Sequence, residues 1–177
     1  MIEIQGMLFD EQTISKKVKE LANRISIDYA GKDLVLVCIL KGAVVFMADL
    51  MRCLSMPIKI DFVRAASYGV STEPSRNIII TKDIETDIKG KHVLLVDTII
   101  DTGETLHCLL EKMRAKGPAS LETVVLLDKK PRRTVEVTLA YKGFDIPDVF
   151  VVGYGVDCAE QYRNLPYIAM VRMNPDS

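Results

Sequence analysis

The chain has 177 residues, of which 49% are hydrophobic and 27% charged, a composition that predicts one globular domain with its own core and excludes a disordered chain. Its 23 basic and 24 acidic residues give a net charge of −1, so no overall positive field attracts nucleic acid or an anionic membrane. The longest apolar run, residues 34–40, is too short to cross a membrane. We therefore expect a single domain over residues 1–177, with no nucleic acid and no membrane as partner.

The four cysteines are widely scattered and form no CxxC pair. They are Cys38, Cys53, Cys108 and Cys158. Free thiols are the simplest interpretation in a chain that can build its own core. The first ten residues lack the basic region of a secretion signal. Together these features predict a cytoplasmic protein.

The first predicted element is an amphipathic helix. Its apolar residues recur at helical spacing and are Ile14, Val18, Leu21 and Ile25. Asp10 or Thr13 is the candidate N-cap, and Gly31 is the candidate end of the helix.

The rest of the chain alternates between short apolar strands and helices. Strands are predicted at residues 34–40, 58–63, 78–81, 93–96, 121–127 and 149–152, and helices at 43–54 and 104–116. This alternation predicts an α/β fold with a mainly parallel sheet flanked by helices.

Residues 64–76 form a polar stretch between two predicted strands. Long loops in compact domains are often functional lids, so we predict a mobile active-site loop here. An ordinary polar hairpin loop is the alternative.

Residues 93–106 combine an apolar strand, two aspartates and a threonine-glycine turn that opens a helix. In open α/β sheets, ligands bind at the carboxyl ends of the strands. Free backbone N–H groups and the positive end of the helix suit a phosphate there, with added donors from Thr102 and Thr105. The alternative is that Asp101 and Thr102 only cap the helix.

This segment resembles the phosphoribosyl-diphosphate-binding signature of type I phosphoribosyltransferases. Five further segments stand in the order and spacing of the bacterial hypoxanthine-guanine branch of that family: residues 40–42 (LKG), 67–69 (SYG), 126–129 (LLDK), 150–157 (FVVGYGVD) and 160–167 (EQYRNLPY). The resemblance spans nearly the whole chain. It implies a type I phosphoribosyltransferase fold, in which a small hood built from terminal segments covers the sheet.

The same resemblance implies a purine-salvage enzyme. Such an enzyme transfers the 5-phosphoribosyl group of 5-phosphoribosyl 1-diphosphate to hypoxanthine or guanine, with Mg²⁺, and gives IMP or GMP and pyrophosphate. It also implies a homodimer or homotetramer.

Several residues match the family's phosphoribosyl-binding positions. Asp101 matches the general base at purine N7, a role that suits an aspartate kept ionised by a helix N-terminus. The 5′-phosphate cradle corresponds to Thr102, Gly103, Glu104 and Thr105. Glu104 would act through its backbone, because its carboxylate would repel a phosphate.

The pyrophosphate site corresponds to Lys41, Gly42 and Arg163, where arginine suits planar bidentate contacts. Asp97 and Asp157 match carboxylates near Mg²⁺. Without the resemblance, Lys41 reads as a surface lysine after a strand.

Ser67 and Tyr68 match the family's lid, which closes over the reacting centre and excludes water from an oxocarbenium-like transition state. Both residues fall within the polar stretch predicted to be mobile.

The purine site corresponds to three residues. Lys129 would donate to the 6-oxo group and disfavour adenine, whose 6-amino group is itself a donor. Phe150 would stack on the ring, and the Val151 backbone would read its edge. Core packing is the alternative for Phe150. A solvated face is the alternative for the basic cluster of Lys129, Lys130, Arg132 and Arg133.

One position departs from the family pattern. Where two adjacent acids, Glu-Asp, usually bind the ribose hydroxyls, this chain has Asp97-Thr98. Thr98 keeps a hydrogen-bonding group but loses a charge that stabilises a cationic sugar. We expect a working enzyme with weaker diphosphate binding, and a higher kcat/KM on Thr98→Asp.

Two other functions remain open from the sequence. One is a regulator that senses phosphoribosyl diphosphate and binds nucleic acid, which the net charge disfavours. The other is a degenerate structural homologue, motivated only by Thr98.

Overall fold

The computed structural model describes residues 2–67 and 78–173. The strands in these ranges are β1 (Ile2–Phe9), β2 (Leu34–Ile39), β3 (Lys59–Ser67), β4 (Ile78–Lys82), β5 (His92–Ile100), β6 (Ser120–Asp128), β7 (Tyr141–Asp145), β8 (Phe150–Val152) and β9 (Ile168–Met173). The helices are α1 (Glu11–Asp28), α2 (Val44–Cys53) and α3 (Glu104–Arg114).

The central sheet has the strand order β4-β3-β2-β5-β6-β7, with only β4 antiparallel to its neighbour. All six residues of β2 are buried, as expected for a strand covered on both faces. The predicted α/β class is confirmed.

A second, antiparallel sheet forms the hood, in the order β1-β9-β8. It joins the two ends of the chain, which matches the expected hood of terminal segments. The predicted strand at residues 149–152 is β8 and lies in this hood rather than in the parallel sheet.

Helix α1 begins where its sequence predicts. The side chain of Asp10 accepts a hydrogen bond of 2.7 Å from the Thr13 backbone N–H, so Asp10 is the N-cap. The helix ends shortly before Gly31, which has a left-handed φ of 74°.

The polar stretch 64–76 begins differently from its prediction, because β3 continues to Ser67. Residues 68–76, including Tyr68, lie outside the described residues, and nothing is described of the Ser67 side chain. The lid therefore stays a prediction.

All four cysteines are free, as predicted, with Cys38 and Cys158 buried. No helix in residues 2–67 and 78–173 has the length and apolar character needed to cross a membrane.

The parallel strands end at one edge of the sheet. At that edge Ile100 of β5 pairs with Asp128 of β6, so the segments that follow these two strands begin side by side. The segment that follows β2 emerges on the other side of β5, because β2 pairs with β5 as well. The candidate site is built from these three connections.

Candidate active site

The β5–α3 turn (residues 101–103) is shaped by a glycine. Gly103 has φ 90°, and a Cβ added there would lie 2.4 Å from the Val135 carbonyl oxygen, so no other residue fits without displacement. Helix α3 begins at the next residue and offers the N–H groups of its first turn. The turn is therefore suited to an anion.

Residues 129–135 form a cover segment over this turn. The backbone N–H groups of Thr134 and Val135 donate to the Thr102 carbonyl at 2.9 and 3.0 Å. The Thr134 hydroxyl also donates to the Glu104 carboxylate at 3.1 Å. The cover segment thus bonds to the residues immediately before and after Gly103.

A cavity of about 180 Å³ opens beside the turn. Its lining residues are Asp97, Ile99, Ile100, Asp101, Thr102, Gly103, Thr105 and Leu106. The Glu104 side chain is absent from this lining, which agrees with a role limited to its backbone.

Asp101 faces two cations. Its carboxylate lies 3.8 Å from Lys129 Nζ and 3.3 Å from Arg132 Nε. The Lys129 side chain is only 7% exposed, and Asp101 is 42% exposed. The Asp101 Oδ1 atom is buried and accepts no hydrogen bond from the described residues. This oxygen is the one that lies 3.3 Å from Arg132 Nε, so it faces a cation without accepting a hydrogen bond from it.

The predicted basic cluster is not one solvated face. Arg133 is buried, with a side chain 6% exposed, and its Nε donates to the Asp101 carbonyl at 3.0 Å. Its Nη2 donates at 2.5 Å to Asp128, which is equally buried. Lys130 is exposed. No sequence pattern indicated that Arg133 ties the cover segment to the first residue of the β5–α3 turn.

Asp97 and Thr98 lie on opposite faces of the sheet, because β5 extends to Ile100 and side chains alternate along a strand. Asp97 lines the cavity, and burial raises its pKa to about 7 although the N–H groups of Thr98 and Ile99 donate to it. Thr98 is fully buried and donates to the Gly42 carbonyl at 2.9 Å.

In this geometry the Thr98 hydroxyl bonds to the Gly42 carbonyl and does not line the cavity, so the structure does not support the expected contact with a ribose hydroxyl. Thr98→Asp would set a carboxylate against the Gly42 carbonyl, which reverses the expected gain in kcat/KM.

The β2–α2 turn (residues 40–43) carries Lys41 and contains a cis peptide bond between Leu40 and Lys41. Lys41 Nζ lies 2.7 Å from the Glu160 carboxylate. Arg163 Nη2 lies 3.4 Å from Glu160 and 2.9 Å from Asp157. Glu160 thus joins two cations that are distant in sequence, a role that no sequence pattern indicated.

The candidate metal ligands are few. Among the described residues, no group of three or more histidine, cysteine or acidic side chains is placed to hold a metal. Asp157 already contacts Arg163 and accepts from the Glu160 N–H at 2.9 Å. Two carboxylates, those of Asp97 and Asp157, are nevertheless a sufficient protein contribution for Mg²⁺, which commonly binds one or two carboxylates and completes its shell with water and substrate oxygens.

Of the three predicted purine-site residues, Phe150 is exposed, whereas Val151 and Lys129 are buried. Phe150 is 41% exposed, so the alternative of core packing does not hold for its ring. Val151 is buried beside it in β8. Lys129 lies at the end of β6, with its N–H donating to the Ile100 carbonyl at 3.0 Å.

A larger cavity of about 500 Å³ lies elsewhere, between α1, α2 and the segment from Tyr154 to Pro166. Arg163 lines it, and its Nη1 donates to the Gly155 carbonyl at 2.9 Å. This cavity contains none of the residues of the β5–α3 turn.

A parallel sheet, a hood from both chain ends and an anion-binding turn after β5 define a type I phosphoribosyltransferase. The chain belongs to the phosphoribosyl transferase domain family, whose model matches residues 5–159. The resemblance read from the motifs is thereby confirmed.

Relatives with known names agree. The hypoxanthine phosphoribosyltransferase of Haemophilus influenzae is 45% identical over 168 residues, which cover 93% of this chain and 94% of that protein. The hypoxanthine-guanine phosphoribosyltransferase of Dictyostelium discoideum is 46% identical over 170 residues, 94% of each chain. A crystal structure of a hypoxanthine-guanine phosphoribosyltransferase from Bacillus anthracis superposes with a TM-score of 0.90 at 45% identity, over 97% of this chain and all of the other.

Proposed function

We propose that this chain is a purine-salvage enzyme that transfers the 5-phosphoribosyl group of 5-phosphoribosyl 1-diphosphate to hypoxanthine or guanine. Its family membership and the names of its relatives support this function. The observation that carries it is the position of Asp101, which adjoins a glycine turn at the start of a helix and lies 3.8 Å from the buried ammonium of Lys129. The comparisons give no support to a regulator that binds nucleic acid.

The β5–α3 turn would hold the 5′-phosphate. Backbone N–H groups of Gly103, Glu104 and Thr105, with the hydroxyls of Thr102 and Thr105, supply the donors. The cover segment keeps the turn in place before substrate arrives, so little ordering is needed on binding.

Asp101 would accept the proton or hydrogen bond at purine N7 as N9 attacks the sugar. Lys129 would donate to the 6-oxo group, and adenine would leave this buried ammonium facing another donor. Phe150 would stack on the purine, and the Val151 backbone would contact the ring edge.

Lys41, Gly42 and Arg163 would hold the pyrophosphate. Asp97 and Asp157 would hold Mg²⁺ together with substrate oxygens, and the metal would neutralise charge on the departing diphosphate. Ser67 and Tyr68 would close over the centre. In its ionised form, Asp97 would stabilise the cationic sugar of the transition state.

A cytoplasmic homodimer or homotetramer completes the proposal. The four free cysteines favour a reducing compartment. Helix α2 turns Phe46, Met47 and Leu50 into the core, so an interface would use its other residues, such as the exposed Val44.

The direct test is nucleotide formation. The purified protein is incubated with 5-phosphoribosyl 1-diphosphate, Mg²⁺ and hypoxanthine, guanine, xanthine or adenine in turn. IMP or GMP and pyrophosphate are expected, with adenine inert. No nucleotide from either hypoxanthine or guanine, together with tight RNA binding, would contradict the proposal.

A further inference from the structure

The Thr98 hydroxyl connects two parts of the site that are far apart in sequence. Thr98 is fully buried in β5, and its Oγ1 donates to the Gly42 carbonyl at 2.9 Å. Gly42 belongs to the β2–α2 turn and directly follows Lys41. The strand that carries Asp97 is thereby bonded to the turn that carries the Lys41 cation.

The Gly42 carbonyl is also enclosed from another side. A Cβ added to Gly155 would lie 2.2 Å from this oxygen, so the backbone at Gly155 packs directly against it. Among the described residues, the Thr98 hydroxyl is the hydrogen-bond donor to this carbonyl. A carbonyl deprived of its donor in such a position favours a displaced turn, in which water reaches the oxygen.

The residue type at position 98 decides whether this bond exists. A hydroxyl can donate to a carbonyl, whereas valine has nearly the same shape and no donor. Thr98 does not line the cavity beside the β5–α3 turn. Replacing its hydroxyl group with a methyl group therefore leaves the residues that line this cavity unchanged.

We propose that Thr98 is a positioning residue that sets the β2–α2 turn for the diphosphate of the phosphoribosyl donor. This inference rests on the proposed function, in which Lys41 and Gly42 hold the pyrophosphate. Its effect falls on the diphosphate substrate and not on the purine, because the Thr98 bond reaches the β2–α2 turn, whereas Asp101 and Lys129 belong to the segments after β5 and β6.

The test compares Thr98→Val, which removes the donor, with Thr98→Ser, which keeps it. KM for 5-phosphoribosyl 1-diphosphate is expected to rise about five- to tenfold in Thr98→Val, the effect of one hydrogen bond. KM for the purine and kcat are expected to change less than about twofold, and Thr98→Ser is expected to restore the diphosphate KM. If Thr98→Val does not fold, Thr98→Ala, which removes the same donor, takes its place.

Thr123→Val is the matched control. Thr123 is 1% exposed, and its hydroxyl donates to the Thr138 carbonyl at 3.0 Å, away from the site. Its diphosphate KM is expected to stay at the wild-type value. An unchanged diphosphate KM in Thr98→Val, a parallel rise in the purine KM, failure of serine to restore it, or an equal rise in Thr123→Val would each overturn the proposal. Absence of nucleotide formation by the wild type would instead overturn the proposed function.

Discussion

Two turns at the same edge of the sheet are held in different ways. The β5–α3 turn is fixed mainly by backbone, through a glycine with φ 90° and two N–H groups of the cover segment, and one buried side chain, that of Arg133, donates to its first carbonyl. The β2–α2 turn has backbone bonds of its own, from Ala43 to Ile39 and from Val44 to Lys41. Its bonds to the other segments of the site come from side chains: the Thr98 hydroxyl on Gly42 and an exposed ion pair between Lys41 and Glu160.

The difference matches what each turn is proposed to bind. A phosphate that stays on the sugar throughout the reaction needs a fixed cradle, and backbone contacts provide one. Pyrophosphate must bind and then leave, so cations held by exchangeable side-chain contacts are better suited to it. The predictions below test this contrast.

The largest effect is expected from Gly103→Ala. The new methyl group would approach the Val135 carbonyl oxygen to 2.4 Å and force a residue with a side chain into a left-handed conformation. Because a shift of about 1 Å at a binding group costs about a hundredfold, kcat/KM is expected to fall at least that much. The measurement is steady-state kinetics together with the free energy of unfolding in urea.

Gly31→Ala is the matched control for Gly103→Ala. Gly31 also has a left-handed φ, 74°, but an added Cβ meets nothing within 4 Å. A loss of stability of about 1 kcal/mol with normal activity is expected. Equal activity in the two variants would show that the β5–α3 turn tolerates displacement.

The next effect concerns Asp101, the proposed base, which is the first residue of the β5–α3 turn. Asp101→Asn keeps the size of the side chain but removes the base, so kcat is expected to fall about 10²- to 10⁴-fold while KM for the diphosphate changes little. Asp33→Asn, which breaks the exposed pair with Lys59, serves as the control. A fall confined to KM would assign Asp101 to binding alone.

The sequence predicts the β5–α3 turn better than the β2–α2 turn. The motif at residues 93–106 identifies the β5–α3 turn because its glycine and helix start are local. The expected role of Thr98 comes from the family resemblance, and no local pattern indicates its bond to Gly42, which depends on the strand continuing to Ile100 and sending adjacent side chains to opposite faces. Glu160 and Arg133 act through contacts between distant segments, which no local pattern records.

The fold shows the same difference between features set by local sequence and features set by contacts between distant segments. The buried parallel strands β2, β5 and β6 each contain a continuous apolar run, and that run predicts them from sequence. Strands β1, β7 and β9 were missed. In β1 exposed polar residues and Gly6 interrupt the pattern, and in β7 Lys142 and Gly143 do so. Their pairing is decided by partners elsewhere in the chain.

A smaller effect is expected from Asp97→Asn, and it depends on pH. Burial raises the pKa of Asp97 to about 7, so between about pH 4 and pH 7 the folded protein binds a proton that the unfolded chain has lost. This group therefore makes wild-type stability fall as pH rises through that window. The asparagine does not titrate, so the variant gains stability relative to wild type with rising pH, by on the order of 4 kcal/mol.

Urea unfolding of both proteins without metal, at several pH values between 4 and 8, measures this difference. Other titrating groups cancel because they are common to both proteins. A difference that stays constant over the window would mean that the Asp97 pKa is not raised.

The smallest effect, and one opposite in sign, is expected from Glu160→Gln. The ion pair of Glu160 with Lys41 is exposed, at 65% and 47%, so solvent screens it and its loss leaves the free energy of unfolding almost unchanged. It also frees Lys41 and Arg163 from a competing carboxylate, so pyrophosphate is expected to bind about two- to fivefold more tightly by calorimetry. Asp33→Asn removes an equally exposed acid from Lys59 and should leave pyrophosphate affinity unchanged. Weaker pyrophosphate binding in Glu160→Gln would mean that Glu160 orients Lys41 and Arg163 and does not compete with pyrophosphate for them. The β2–α2 turn would then be as preformed as the β5–α3 turn.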